Sequence, residues 1–107
     1  NQKHSDNKIA SHLSGSLFDM IASPKASHKK AGEWNQVRIL LKDLHLQVWQ
    51  NQVKTIDIKI GGEQWNLLVA NSKFATWNGF GVNHSGHIGL QDHGDQVSFK
   101  NIKIKEL

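Results

Sequence analysis

The sequence predicts an all-β fold, an antiparallel β-sandwich or jelly-roll-like sheet with one short helix. Three observations predict it. Apolar residues alternate with polar ones in successive short runs between Val37 and Ile104, the period-two signature of strands with one buried face. The gaps between runs are short and filled by turn formers, which favours antiparallel neighbours. Only Glu63 to Phe74 carries a helical spacing, with apolar residues at 65, 68 and 69. The size suits one small domain with a real core, since a chain of 107 residues hides roughly two thirds of its unfolded surface. A hydrophobic content of 37%, a charged content of 21% and a mean hydropathy of −0.51 describe a globular chain rather than a disordered one.

Residues 1 to 14 are polar and aperiodic and read as a loop, and nothing in Asn1-Gln2-Lys3-His4 has the form of a signal peptide. Gly15 to Ala22 is apolar-rich and reads as a short strand stopped by Ser23-Pro24. A small, basic stretch follows and ends in the turn Ala31-Gly32. Val37, Ile39 and Leu41 then alternate with Gln36, Arg38 and Leu40, and Leu44, Leu46 and Val48 alternate with His45, Gln47 and Trp49. The doublet Asn51-Gln52 separates these from Val53 to Ile60, giving a strand meander that Gly61-Gly62 breaks. After the helix, residues 75 to 86 read as an Asn- and Gly-rich loop holding Trp77 and Phe80. The last two strands are His87 to Gln91 and Gln96 to Ile104, joined through His93-Gly94-Asp95. Their alternation slips between Phe99 and Ile102, which predicts a bulge near Lys100-Asn101.

Thirteen Lys and Arg against nine Asp and Glu give a formal charge of +4. The cations fall at Lys25, Lys29 and Lys30 beside His28, and at Lys100, Lys103 and Lys105. Only Arg38 is arginine, and base readout leans on the arginine fork, so a nucleic-acid partner is not expected. Lysines along an edge strand guard against edge-to-edge pairing. Without cysteine there is no disulfide framework, thiolate zinc site or cysteine nucleophile. No apolar run is long enough for a membrane span.

Four segments carry a family resemblance. They are SGSLFDMIAS (14–23), AGEWNQVRI (31–39), VANSKFATW (69–77) and the closing GHIGLQDHGDQVSFKNIKIKEL (86–107), whose QDHG core is distinctive. In order and spacing they resemble the bacterial 3-keto-disaccharide hydrolase domain family, long catalogued as a domain of unknown function. The resemblance implies a concanavalin-like jelly roll whose concave face cradles sugar. Family domains are nearly twice this length, so residues 1–107 resemble a single partial domain, the C-terminal half. The expected partners are a carbohydrate substrate and the N-terminal half of the domain. The resemblance also implies a periplasmic, cell-surface or secreted location.

The implied activity is cleavage of 3-keto-glycosides. A ketone at sugar carbon 3 acidifies the hydrogen on carbon 2. A general base removes it, the enolate expels the group on carbon 1, and water adds back. A positive or hydrogen-bonding group must stand beside the developing oxyanion. No cofactor is certain, and a divalent metal ion is the one candidate for that second role. The alternative is a non-catalytic carbohydrate-binding jelly roll that uses Trp77 and polar loops. A weaker third reading is a fragment that only pairs with its other half.

The resemblance places Gln91 and His93 at the concave site, with Asp92 orienting a neighbour, and alternation puts Gln91 and His93 on one face. Turn chemistry accounts for the same residues without a site: Asp92 caps a hairpin corner, Gly94 takes positive φ and His93 is merely exposed. His4, with Asp6, resembles a segment that follows a carboxylate strand, and is equally readable as a frayed terminus. His84 and His87 have an HxxH spacing but no third metal ligand, so the metal assignment stays open and His87 is kept as a substrate-binding candidate. Lys73 either meets an enolate or sugar hydroxyl, or serves the helix C-terminal carbonyls. Trp77 is a stacking platform for a pyranose ring. Trp34, Trp49 and Trp65 read as core or sheet-packing residues, Trp49 being set apart by its face. Arg38 reads as a structural ion pair with Asp19 or Asp57. Two departures from the family bear on substrate: His12-Leu13 replaces a basic residue, and Phe18 replaces the commoner tyrosine.

Overall fold

The computed structural model describes residues 9–24 and 27–107. His4, Asp6 and Lys25 lie outside the described residues. The centre of the molecule is a three-stranded antiparallel meander in the order β1 (Val37–Lys42), β2 (His45–Gln50), β3 (Val53–Lys59), followed by helix α1 (Glu63–Ala70). Both hairpins close through two residues at positive φ, Asp43-Leu44 (51° and 63°) and Asn51-Gln52 (50° and 70°). Two left-handed residues in succession match the twist of paired strands. Leu44 therefore belongs to the turn and not to the strand its apolar character suggests.

Register separates the two faces. Leu41, Leu46 and Ile58 align across the sheet, as do Ile39, Val48 and Ile56. Directly opposed residues share a face, and this face meets Met20, Trp65 and Phe74 to form the core. A bulge at Val48/Trp49 makes Lys54 rather than Thr55 the partner of Trp49. The extra residue lets Thr55 and Ile56 both be buried while Lys54 crosses to the polar face.

The N-terminal segment is fastened by one buried amide. Gln50 donates from Nε2 to Ser14 Oγ and accepts from Ser27 Oγ at Oε1, both at 2.7 Å. Gly15 lies against it at φ +88°, where an added Cβ would stand 2.8 Å from Gln50 Oε1. Only glycine meets both demands.

Three expectations are corrected. Gly15 to Ala22 is not a strand: it is a tight turn with a single bridge, Leu17–Ile21, and Asp19 in the left-handed region at φ 61°. The helix ends at Ala70, short of Phe74. Ser72 Oγ donates to Val69 O and accepts from the Phe74 N–H, starting a separate 3-10 turn at Lys73–Thr76. The segments His87 to Gln91 and Gln96 to Ile104 form no strand among the described residues, although Gly94 (φ 89°) bends the chain as expected and Asn101 (φ 54°) marks the irregularity near Lys100. Alternation supplies a strand's side-chain pattern but not the neighbour its backbone must bond. Ile88, Leu90, Val97, Phe99, Ile102 and Ile104 are all exposed.

The antiparallel sheet and the one short α-helix among the described residues are as expected. No helix among the described residues is long and apolar enough to cross a membrane.

Candidate functional site

The turn at 17–21 and the 3-10 turn at 73–76 meet and bring a charged cluster together. Met20, buried in the core, anchors the first turn, and Phe74, equally buried, anchors the second. Between them Asp19 bridges two elements far apart in sequence. Its Oδ2 accepts the backbone N–H of Lys73 at 2.7 Å, and its Oδ1 lies 2.7 Å from His12 Nε2. The Lys73 amide, and next the His12 ring, hold the Asp19 carboxyl below the usual carboxylate range. The left-handed backbone at Asp19, a conformation aspartate tolerates better than most residues, aims the carboxylate into this gap.

His12 is nearly buried, with a side chain 9% exposed, and stacks on Phe18 at 4.2 Å between ring centroids. The Lys73 ammonium stands 4.5 Å from the Phe18 ring centroid, 5.5 Å from that of Phe74 and 6.0 Å from that of Trp77. Three aromatic rings thus lie within 6.0 Å of this one cation. Trp77 packs edge-on against Phe74 at 4.7 Å and keeps 55% of its surface exposed. An ordered cation beside a partly exposed indole offers a sugar both a polar contact and a stacking surface.

Of the residues singled out from sequence, Lys73 and Trp77 are brought together. Gln91, Asp92, His93 and His87 lie in the exposed segment after residue 82. No group of three or more His, Asp or Glu side chains among the described residues is placed to hold a metal ion, and His84 and His87 gain no third ligand there. Arg38 pairs with neither expected carboxylate. Its guanidinium lies 5.2 Å over the Trp49 ring, while Asp19 serves His12 and Lys73, and Asp57 serves His45, Lys54 and Gln47. Trp65 is core, as expected. Trp34 is not: it is half exposed under the ammonium of Lys100 at 4.1 Å. His12 and Asp19 were legible only as a departure from the family and as a partner for Arg38, because a pair seven residues apart in an aperiodic segment leaves no pattern.

Comparison with known proteins decides the family. The model of the 3-keto-alpha-glucoside-1,2-lyase-like domain matches residues 1–105. The chain belongs to this family. A curated relative, the 3-keto-disaccharide hydrolase of Bacteroides thetaiotaomicron, is 36% identical over 120 aligned positions. The match takes in the whole of this chain and 41% of the relative, so the chain spans about two fifths of that protein's length. Among solved structures, a candidate glycosyl hydrolase from Parabacteroides distasonis superposes with a TM-score of 0.64 at 23% identity, covering 70% of this chain and 34% of that one. That likeness concerns the fold. This member of the 3-keto-glucoside lyase-like family carries part of the antiparallel jelly roll expected of it.

Proposed function

We propose that the chain is part of a carbohydrate-active enzyme that cleaves 3-keto-glycosides by proton abstraction at carbon 2 and elimination at carbon 1. The observation that carries this reading is the Lys73 ammonium held beside the open Trp77 ring, in a chain of this family. Trp77 stacks the keto-sugar ring, and Lys73 faces the oxygen on carbon 3 that becomes negative as the enolate forms. The His12–Asp19 pair positions Lys73 by fixing its backbone, without touching the sugar.

His93, within the family's QDHG motif, takes the carbon 2 proton, with Gln91 and Asp92 beside it. In this reading His87 contacts the sugar and His4 is a further catalytic candidate. The electron pair of the broken C–H bond forms the enolate. It returns to form the carbon 1–carbon 2 double bond as the bond from carbon 1 to the leaving oxygen breaks, and that oxygen leaves with the proton His93 took. Water then adds across the double bond, its hydroxyl to carbon 1 and its other proton to carbon 2, releasing the 3-keto sugar. A divalent metal ion, the candidate cofactor, would supply further stabilisation of the same oxyanion. The rest of the jelly-roll domain, an N-terminal half, is the structural partner in this reading, and the protein works in the periplasm or at the cell surface.

The test is turnover of a 3-keto-disaccharide by the full-length protein. Lys73→Ala should lower kcat by about a hundredfold or more, the usual loss on removing an oxyanion partner. Trp77→Ala should act mainly on KM, by up to about tenfold, as the loss of one aromatic contact implies. Binding of the keto-sugar with no turnover would instead establish the binding-module alternative.

A further inference from the structure

The polar face of the sheet concentrates the chain's positive charge. Arg38, Trp49 and Lys54 align across it, then Leu40, Gln47 and Asp57, then Lys42, His45 and Lys59. Four cations stand on these strands against Asp57, and Asp43 in the adjoining turn lowers the surface to a net +2. Asp57 is already occupied. Asp57 Oδ1 is bonded to His45 Nε2, and its Oδ2 accepts from Lys54 Nζ at 2.8 Å and Gln47 Nε2 at 3.2 Å. These donors, His45 foremost, hold the carboxyl well below its ordinary range, so it stays ionised and its charge is spent locally.

The cations left over, Arg38, Lys42 and Lys59, border a surface with definite shape. At one end the Arg38 guanidinium lies over the half-buried Trp49 ring, which orders its planar fork. At the other, Lys42, Lys59, His45 and Gln47, together with Asp43 and Asp57, line an open groove of about 630 Å³. Lys59 is steadied there by a 2.7 Å bond from Nζ to the carbonyl of Asp43. Arg38 and Lys42 are four residues apart on one strand, about 13 Å. A single small anion cannot satisfy both ends, whereas a linear chain with repeated charges can.

We propose that this face binds an anionic polysaccharide, a chain of carboxylated sugars, at a surface separate from the Lys73 and Trp77 cluster. Arg38 and the groove lysines take carboxylates, Arg38 as a bidentate fork, and Gln47 and His45 take ring hydroxyls. With one arginine and no ladder of exposed rings for bases to stack on, the face suits sugars better than nucleic acid. The ligand is held by charge, so binding weakens as salt screens it.

The experiment titrates the full-length protein with sodium polygalacturonate and, separately, with dextran of similar chain length, at two salt concentrations. The expected result is saturable binding of polygalacturonate, weaker at the higher salt, with none to dextran. The triple variant Arg38→Gln, Lys42→Gln, Lys59→Gln should bind at least tenfold more weakly. The control variant Lys29→Gln, Lys30→Gln, which also loses positive charge but off this face, should bind as wild type. Circular dichroism checks that each variant is folded. Equal binding of dextran, an unaffected triple variant, or an equal loss in the control would overturn the proposal. Tighter binding of single-stranded DNA of matched charge would overturn it in favour of a nucleic acid. The readout is binding alone, so failure here leaves the reading of the Lys73 cluster untouched.

Discussion

Asp19 is the residue on which the cluster depends, because its carboxylate joins two turns 54 positions apart. Its folded pKa is depressed by the Lys73 amide and by His12, so its stabilising contribution is present above the ordinary carboxylate pKa of about 3.9 and is lost as pH falls through the lower folded value. Asp57 behaves alike for its own reasons. Urea midpoints measured between pH 7 and pH 2 should therefore decline below about pH 4. An Asp19→Asn variant should be less stable at neutral pH and decline less steeply. Gly15 sets a second limit at this scale. Gly15→Ala places a Cβ against Gln50 Oε1 in a left-handed backbone, and should cost about 1–3 kcal/mol in chemical denaturation. Neither effect is visible in sequence pattern. Asp19 sits in an apolar-rich run that reads as a strand, and only the turn at 17–21 reveals what its side chain reaches.

At the scale of elements, the meander was legible because Ile39 and Leu41, Leu46 and Val48, and Ile56 and Ile58 recur at alternate positions on one side of the sheet, between two-residue turns. What pattern cannot supply is a partner. The run from Gln96 to Ile104 alternates nearly as well as β1, yet no neighbouring strand among the described residues bonds it. The end of α1 was misplaced for a related reason: Ser72 stops the helix through two side-chain bonds that helical spacing ignores. Core weight should divide the sheet unevenly. Ile56→Ala, at 3% exposure, should cost about 2–5 kcal/mol. Ile39→Ala, on the same face but 63% exposed, should stay within about 0.5 kcal/mol in the isolated chain. Thermal and urea unfolding of the two variants measure the contrast.

For the molecule as a whole, the apolar face continues past its cover. Val37, Ile39 and Leu41 share the core side of the sheet with Leu46, Val48, Ile56 and Ile58, but remain open. In a chain spanning about two fifths of its curated relative, such a face fits a domain completed by further polypeptide. The QDHG segment illustrates the divide between local and global information. Its residues carry a resemblance readable in sequence, while in the structure they are exposed and belong to no strand. The proposed elimination, with Lys73 at the developing oxyanion, is tested by following the full-length protein on a 3-keto-glycoside in deuterium oxide, at early times, by NMR. Deuterium is expected at carbon 2 of the released keto-sugar, with loss of that signal together with turnover in Lys73→Ala. Product without carbon 2 deuterium, or a Lys73→Ala protein that works at the wild-type rate, would contradict it.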